Sequence, residues 1–197
     1  MDAREEILAT IRRNTGPARP LPSLDGVGAT FPDLAARFAE SVTAVGGTAV
    51  RVADRAAADE ALRALPVHRA AKRMVSLAPG VGRSTFDPAQ VKDPHELEGL
   101  DLVVLEGAFG VAENGAVWIE GASLPHHALV VIAEHVAVVV EAATLVPDLG
   151  AAYARLDLAS RPRWGLFLAG PSKTADIEQA LVIGAHGARS ATVFVVG

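Results

Sequence analysis

The chain has 197 residues, 50% of them hydrophobic and 21% charged, with a net charge of −5 and no cysteine. That is enough to bury a sizeable core in one domain, and it argues against global disorder and against a nucleic-acid partner, which would need a concentrated basic face. Without cysteine the chain forms no disulfide, offers no thiolate nucleophile and ligates no iron–sulfur cluster through cysteines of its own.

In chain order, residues 2–13 form a helical pattern with Ile7, Leu8 and Ile11 on one side. Charge from the second residue onward and the lack of an apolar h-region make a secretory leader unexpected, so a cytoplasmic protein is the expectation. A linker rich in proline and glycine follows, Gly16 to Gly28, which sets residues 1–28 apart as an arm that could pack on another subunit in a homo-oligomer. The main domain is expected over residues 29–197. Phe31 to Val45 reads as a helix, with Leu34, Phe38 and Val42 at fourfold spacing and Gly46–Gly47 ending it. Thr48 to Val52 predicts a strand, Ala56 to Leu65 a helix closed by Pro66, and Arg73 to Ala78 a strand.

Pro79 to Gly99 is rich in loop signals, and Asp101 to Leu105 predicts a short buried strand. Phe109 to Ala112 and Ala116 to Ile119 flank Asn114–Gly115, which signals a hairpin with a two-residue turn. Ala128 to Ile132 and Val136 to Val140 are apolar runs of strand length, expected at the centre of a sheet. Glu134 and His135 break them, and the stretch is too short to span a bilayer. Pro147 to Leu156 predicts a helix. Strands are then expected at Trp164 to Ala169 and Ala191 to Val196, joined by a helix that starts at the Gly170-Pro171-Ser172 turn. The order points to a layered α/β fold: a mixed, mostly parallel sheet with helices on both faces.

The stretch Gly170 to Gly187 carries the densest chemistry. A helix starting there would aim unpaired N–H groups and a partial positive charge at a ligand above the sheet, with Gly170, Ser172, Lys173 and Thr174 around it. It is not a Walker A loop, because Ser172 stands where that motif needs a glycine before the lysine. Ser172 or Thr174 as a simple helix cap explains the same residues without a ligand. Asp176 and Glu178 oppose a strongly anionic ligand and favour a small carboxylate or another oxygen ligand, or a partner surface. His186, between Gly184 and Gly187, is a candidate acid or base at what would be the far end of the helix from Ser172. Glu113, beside the Asn114–Gly115 turn, is either a turn residue or a carboxylate displayed at a strand end. His127 is a further catalytic candidate. His126, His127, Glu134 and His135 match no established zinc spacing, so no metal is expected.

These residues resemble the lactate utilisation protein C family, or LUD domain. That family shows Gly-Pro-Ser-Arg-Thr-Ala-Asp-Ile-Glu followed by Gly-Val-His-Gly-Pro, against Gly170 to Glu178 and Gly184 to Ala188 here. Ala112-Glu113-Asn114-Gly115 is similar to the family's Ala-Glu-Thr-Gly, and Leu124-Pro125 precedes His127 in the family manner. Lys173 replaces an arginine, which weakens any planar, bidentate grip on a carboxylate. The resemblance implies a fold like the NagB/RpiA/CoA-transferase group. It also implies a role, with iron–sulfur partner proteins, in oxidising L-lactate to pyruvate. In that role this chain is an accessory or substrate-handling subunit with no cofactor of its own. The alternative is a free-standing enzyme on a CoA ester, folate or sugar phosphate, using Glu113 as family I CoA transferases use their glutamate.

Overall fold

A computed structural model describes residues 2–16, 20, 22–23, 26–156, 164–177 and 180–197; for 176 and 177 it describes the backbone alone. Helix α1 (Ala3–Asn14) lies before the linker and has no buried residue, with Ile7 and Ile11 more than half exposed. Helix α2 (Leu34–Ala44) starts at Asp33, whose carboxylate accepts from the N–H of Ala36, and it buries Phe38, Ser41 and Val42 as the fourfold spacing predicts.

Strand β1 (Thr48–Val52) leads into α3 (Arg55–Ala64), capped by Asp54, and then the short α4 (Pro66–Ala70), where Pro66 takes a first-turn position. Strand β2 (Met74–Ser76), two 3-10 turns and β3 (Leu102–Glu106) follow. An antiparallel pair, β4 (Phe109–Val111) and β5 (Ala116–Glu120), precedes α5 (Leu129–Ile132), β6 (His135–Glu141) and α6 (Leu149–Ala154). The chain closes with β7 (Gly165–Leu168), β8 (Lys173–Ile177), β9 (Ala180–Ile183) and β10 (Ser190–Val196).

The central sheet is wholly parallel, in the order β1-β10-β6-β3-β2. Its inner strands β10, β6 and β3 are near-continuous buried runs because both faces are covered. Alternation divides them cleanly. Val103, Leu105, Val136, Val138, Val193 and Val195 join α2, α5 and the β4–β5 hairpin in one core. Leu102, Val104, Ala137, Val139 and Phe194 join Ala58 and Leu62 of α3 in the other. A second, antiparallel sheet, β4-β5-β7, packs Phe109, Trp118 and Phe167 against one another. The architecture is thus mixed α/β with a parallel central sheet flanked by helices.

Three expectations need correction. Residues 128–132 form the helical turn α5 rather than a strand: Leu129 and Val130 are buried while Val131 is exposed. An apolar run of that length carries no periodicity that separates strand from helix. The turn at Asn114–Gly115 is a four-residue loop, since Val111 pairs with Ala116, and Gly115 within it has a left-handed backbone (φ 70°). The third correction is the largest. The segment after Gly170 is not a helix but the antiparallel hairpin β8–β9, with an irregular register between Thr174 and Ile177. Its β-branched residues Thr174, Ile177, Val182 and Ile183 suit strands. Trp164 to Ala169 does form a strand, β7, but it joins the second sheet, so no βαβ unit closes the chain.

Among the described residues, no helix is long and apolar enough to cross a membrane.

Candidate functional site

In open α/β sheets ligands collect beyond the carboxyl ends of the parallel strands. Here the two neighbouring strands β3 and β6 end in Glu106 and Glu141. The alternation that turns Val104 and Val139 toward α3 carries both glutamates to the same face. Arg55 opens α3 directly after β1, and Asp54, which accepts from Ala57 N–H at 2.8 Å, fixes where that helix starts. The three side chains therefore meet.

Arg55 Nη1 donates to Glu106 Oε2 at 3.0 Å and to the carbonyl of Pro79 at 3.0 Å. Its Nη2 reaches Glu106 Oε1 and lies 3.0 Å from Glu141 Oε1, to which Nε donates at 3.1 Å. All three guanidinium nitrogens are engaged, and the side chains of Arg55, Glu106 and Glu141 are 31%, 31% and 41% exposed. The hydrogen bond to Glu106 raises the Arg55 pKa, against the opposing effect of burial. Two carboxylates around one cation leave a net negative charge. Their remaining lone pairs accept from a hydroxyl or an ammonium group, and the cluster repels an anion unless that anion displaces a glutamate from Arg55. It also ties α3, the loop at Pro79 and two central strands together.

The carboxyl end of β2 carries an open groove of about 690 Å³, with Leu77, Phe86 and Pro125 as apolar wall and Ser76, Ser84 and Asp87 as polar groups. The loop beside it is held by Ser76 Oγ donating to the carbonyl of Val81, and by Ser84 Oγ accepting from Ser76 N–H at 2.9 Å.

The residues nominated from sequence lie elsewhere. Glu113 is exposed on the β4–β5 turn, and its Oε2 accepts from Leu149 N–H at 3.1 Å, at the start of α6. Its neighbours fasten the turn: Ser41 Oγ donates to the carbonyl of Ala112 at 2.7 Å. His127 stacks on Trp164, with ring centroids 3.9 Å apart and planes 12° from parallel. It stands just before α5, and the adjacent His126 has its Nε2 2.6 Å from the carbonyl of Val91.

Gly170, Ser172 and the Gly184–Gly187 stretch form the foot of the β8–β9 hairpin, at the amino edge of the central sheet. Ser172 N–H donates to Ala188 at 2.8 Å, and Gly184 N–H donates to Ser172 at 2.9 Å. A Cβ on Gly187 would lie 3.1 Å from that of Ser172. Ser172 and the histidine stretch, expected at opposite ends of a helix, are thus side by side. Thr174 pairs with Val182, and neither it nor Ser172 caps a helix. Lys173 passes over Gly46, where a Cβ would lie 3.7 Å from its Nζ, so its charge sits by the C-terminal turn of α2 and favours that dipole. His186 is exposed. Asp176 lies on β8; its side chain, and Glu178, fall outside the described residues. Glu113, His127 and Ser172 make no hydrogen bond with one another.

Among the described residues, no group of three or more His, Asp or Glu could hold a metal ion. The sequence reading overlooked Arg55, Glu106 and Glu141. A signal existed: two strongly apolar runs, Val103-Val104-Leu105 and Val138-Val139-Val140, each stop at a glutamate.

The crystal structure of a DUF162 family protein from Deinococcus radiodurans is similar to this chain with a TM-score of 0.63. The match covers 90% of this chain and 100% of that one at 19% identity, a likeness of fold. Among curated proteins none matches the sequence. The family model for the LUD domain matches residues 89–196, more than half of the chain, which spans β3, β6, β10 and the hairpin foot: the protein belongs to the LUD domain family.

Proposed function

We propose that this protein is an accessory or substrate-handling subunit of an iron–sulfur-dependent system that oxidises L-lactate to pyruvate. Membership of the LUD domain family carries the reading. The chain has no cysteine, so the clusters would belong to partner proteins and electrons would pass through them. This subunit would work in the cytoplasm and present a small hydroxy-carboxylate or related oxygen ligand. The Glu106 and Glu141 carboxylates suit the hydroxyl of such a ligand, and a carboxylate would reach Arg55 by displacing one of them.

The engagement of Glu113 favours this over a CoA-transferase-like enzyme. Its carboxylate accepts the backbone N–H of Leu149 at the start of α6, a role that a turn residue fills with no substrate present. Deleting the gene and scoring growth on L-lactate tests the proposal, together with affinity purification of the tagged chain. The expected result is impaired growth, rescued by the wild type and by Glu113→Gln alike, and co-purification of iron–sulfur proteins. Normal growth with no such partner would overturn it. Loss of rescue by a folded Glu113→Gln protein would move the assignment to the enzyme reading.

A further inference from the structure

A second polar site lies where the last turn of α3, the short α4 and the loop after β2 converge. Arg63, His68, Gly82 and Arg83 line a cavity of about 330 Å³ there. No acid lines it. Asp59, the carboxylate that acts on His68, is only 17% exposed and is already committed: its Oδ1 accepts from Gly82 N–H at 2.8 Å, and its Oδ2 pairs with Arg63 Nη2 at 2.6 Å. Asp59 thereby fixes two walls of the cavity, the loop and one arginine, while leaving the rest of the Arg63 fork facing outward. Arg83 makes no hydrogen bond or ion pair among the described residues. Gly82 is itself constrained. Its φ is +71°, and a Cβ there would come within 3.0 Å of Leu62 and 3.2 Å of Val104, so the loop that presents Arg83 is seated on the core.

We infer that this cavity binds a phosphate group carried by a small metabolite, held between the Arg63 and Arg83 guanidinium groups with His68 as third donor. Guanidinium forks match phosphate oxygens in pairs, and two forks with an imidazole beside them suit a tetrahedral oxyanion better than a hydroxyl or a cation. The cavity is larger than a bare phosphate needs, which leaves room for an organic tail. The groups facing His68 are Arg83, Arg63 and Asp59. Burial first, then Arg83, lowers its pKa, with Asp59 pulling the other way. An unoccupied site therefore keeps His68 neutral at pH values where a bound dianion would draw a proton onto it. This site is separate from the Arg55 cluster, and the inference stands without the lactate proposal.

The test is titration of the full-length protein with inorganic phosphate and with pyrophosphate at fixed ionic strength. Calorimetry and the His68 ring resonances serve as readouts. Saturable binding is expected, with the His68 pKa rising when the ligand is present and affinity at least about tenfold weaker in Arg83→Gln. Arg69→Gln, a neighbouring surface arginine outside the cavity lining, should bind like the wild type. No saturable binding, equal loss in both variants, or a His68 resonance unmoved at saturation would overturn the inference. A nucleic-acid duplex binding more tightly than pyrophosphate would overturn the small-metabolite assignment. Should Arg83→Gln fold poorly, Arg83→Lys replaces it, keeping the charge while removing the fork, with the same direction of loss expected.

Discussion

Arg55 is the residue on which the carboxyl edge depends. Among the described residues it is the one cation shared by Glu106 and Glu141, and through Pro79 it also holds the loop that leads toward Gly82. Removing it leaves two carboxylates side by side on adjacent strands, each about a third or more exposed. Water screens part of that repulsion, so the cost is moderate. Arg55→Ala should lose about 1–2 kcal/mol of stability, the range for charge-assisted hydrogen bonds that solvent partly reaches. Arg55→Lys should recover less than half of that, because an ammonium cannot serve both carboxylates and a carbonyl in one plane. Urea denaturation of the two variants measures both. A loss below about 0.3 kcal/mol for the alanine variant would show that the cluster holds nothing together.

The β8–β9 hairpin makes the element-scale point. Its feet are fixed by backbone geometry: Gly170 and Gly184 have φ of +71° and +76°, and a Cβ on Gly170 would meet the carbonyl oxygen of Val45 at 2.5 Å. Gly170→Ala should therefore cost about 2 kcal/mol or more, from the left-handed backbone and the clash together, and lower the unfolding midpoint by about 4–8 °C. A calorimetric scan reads it; an unchanged midpoint would remove the hairpin's seat on α2. The same segment shows what a sequence does and does not disclose. The parallel core was legible because Val136 to Val140 and Ala191 to Val196 are apolar runs bounded by polar residues, and α2 because its fourfold spacing is periodic. Lys173 to Ile183 misled, since its apolar and polar residues fit a helical period. What decides it is tertiary: Ser172 bonds to Ala188 and Gly184, partners invisible to local pattern. The site was hidden for a related reason. Arg55 lies 51 residues from Glu106 and 86 from Glu141, and only the strand order β10-β6-β3 brings the glutamates to one edge.

At the scale of the whole molecule, the two edges of the parallel sheet divide the work. The residues around Ser172 and Gly187 close the amino edge by backbone hydrogen bonds, while the charged side chains of Arg55, Glu106 and Glu141 face out at the carboxyl edge. Helix α1 belongs to neither. It buries no residue, keeps Ile7 and Ile11 exposed, and at 12 residues is of a length that is marginal in isolation. An amphipathic helix of that kind gains its stability from a surface it covers, and among the described residues α1 buries none of its own side chains. Deleting residues 2–16 should accordingly leave the unfolding midpoint within about 2 °C of the full chain, since no buried apolar area is lost. If the helix docks on a partner protein, the same deletion should abolish recovery of that partner in affinity purification while the domain stays folded. A midpoint lowered by more than about 5 °C would instead place the helix on this domain's own core and take it out of the recognition surface.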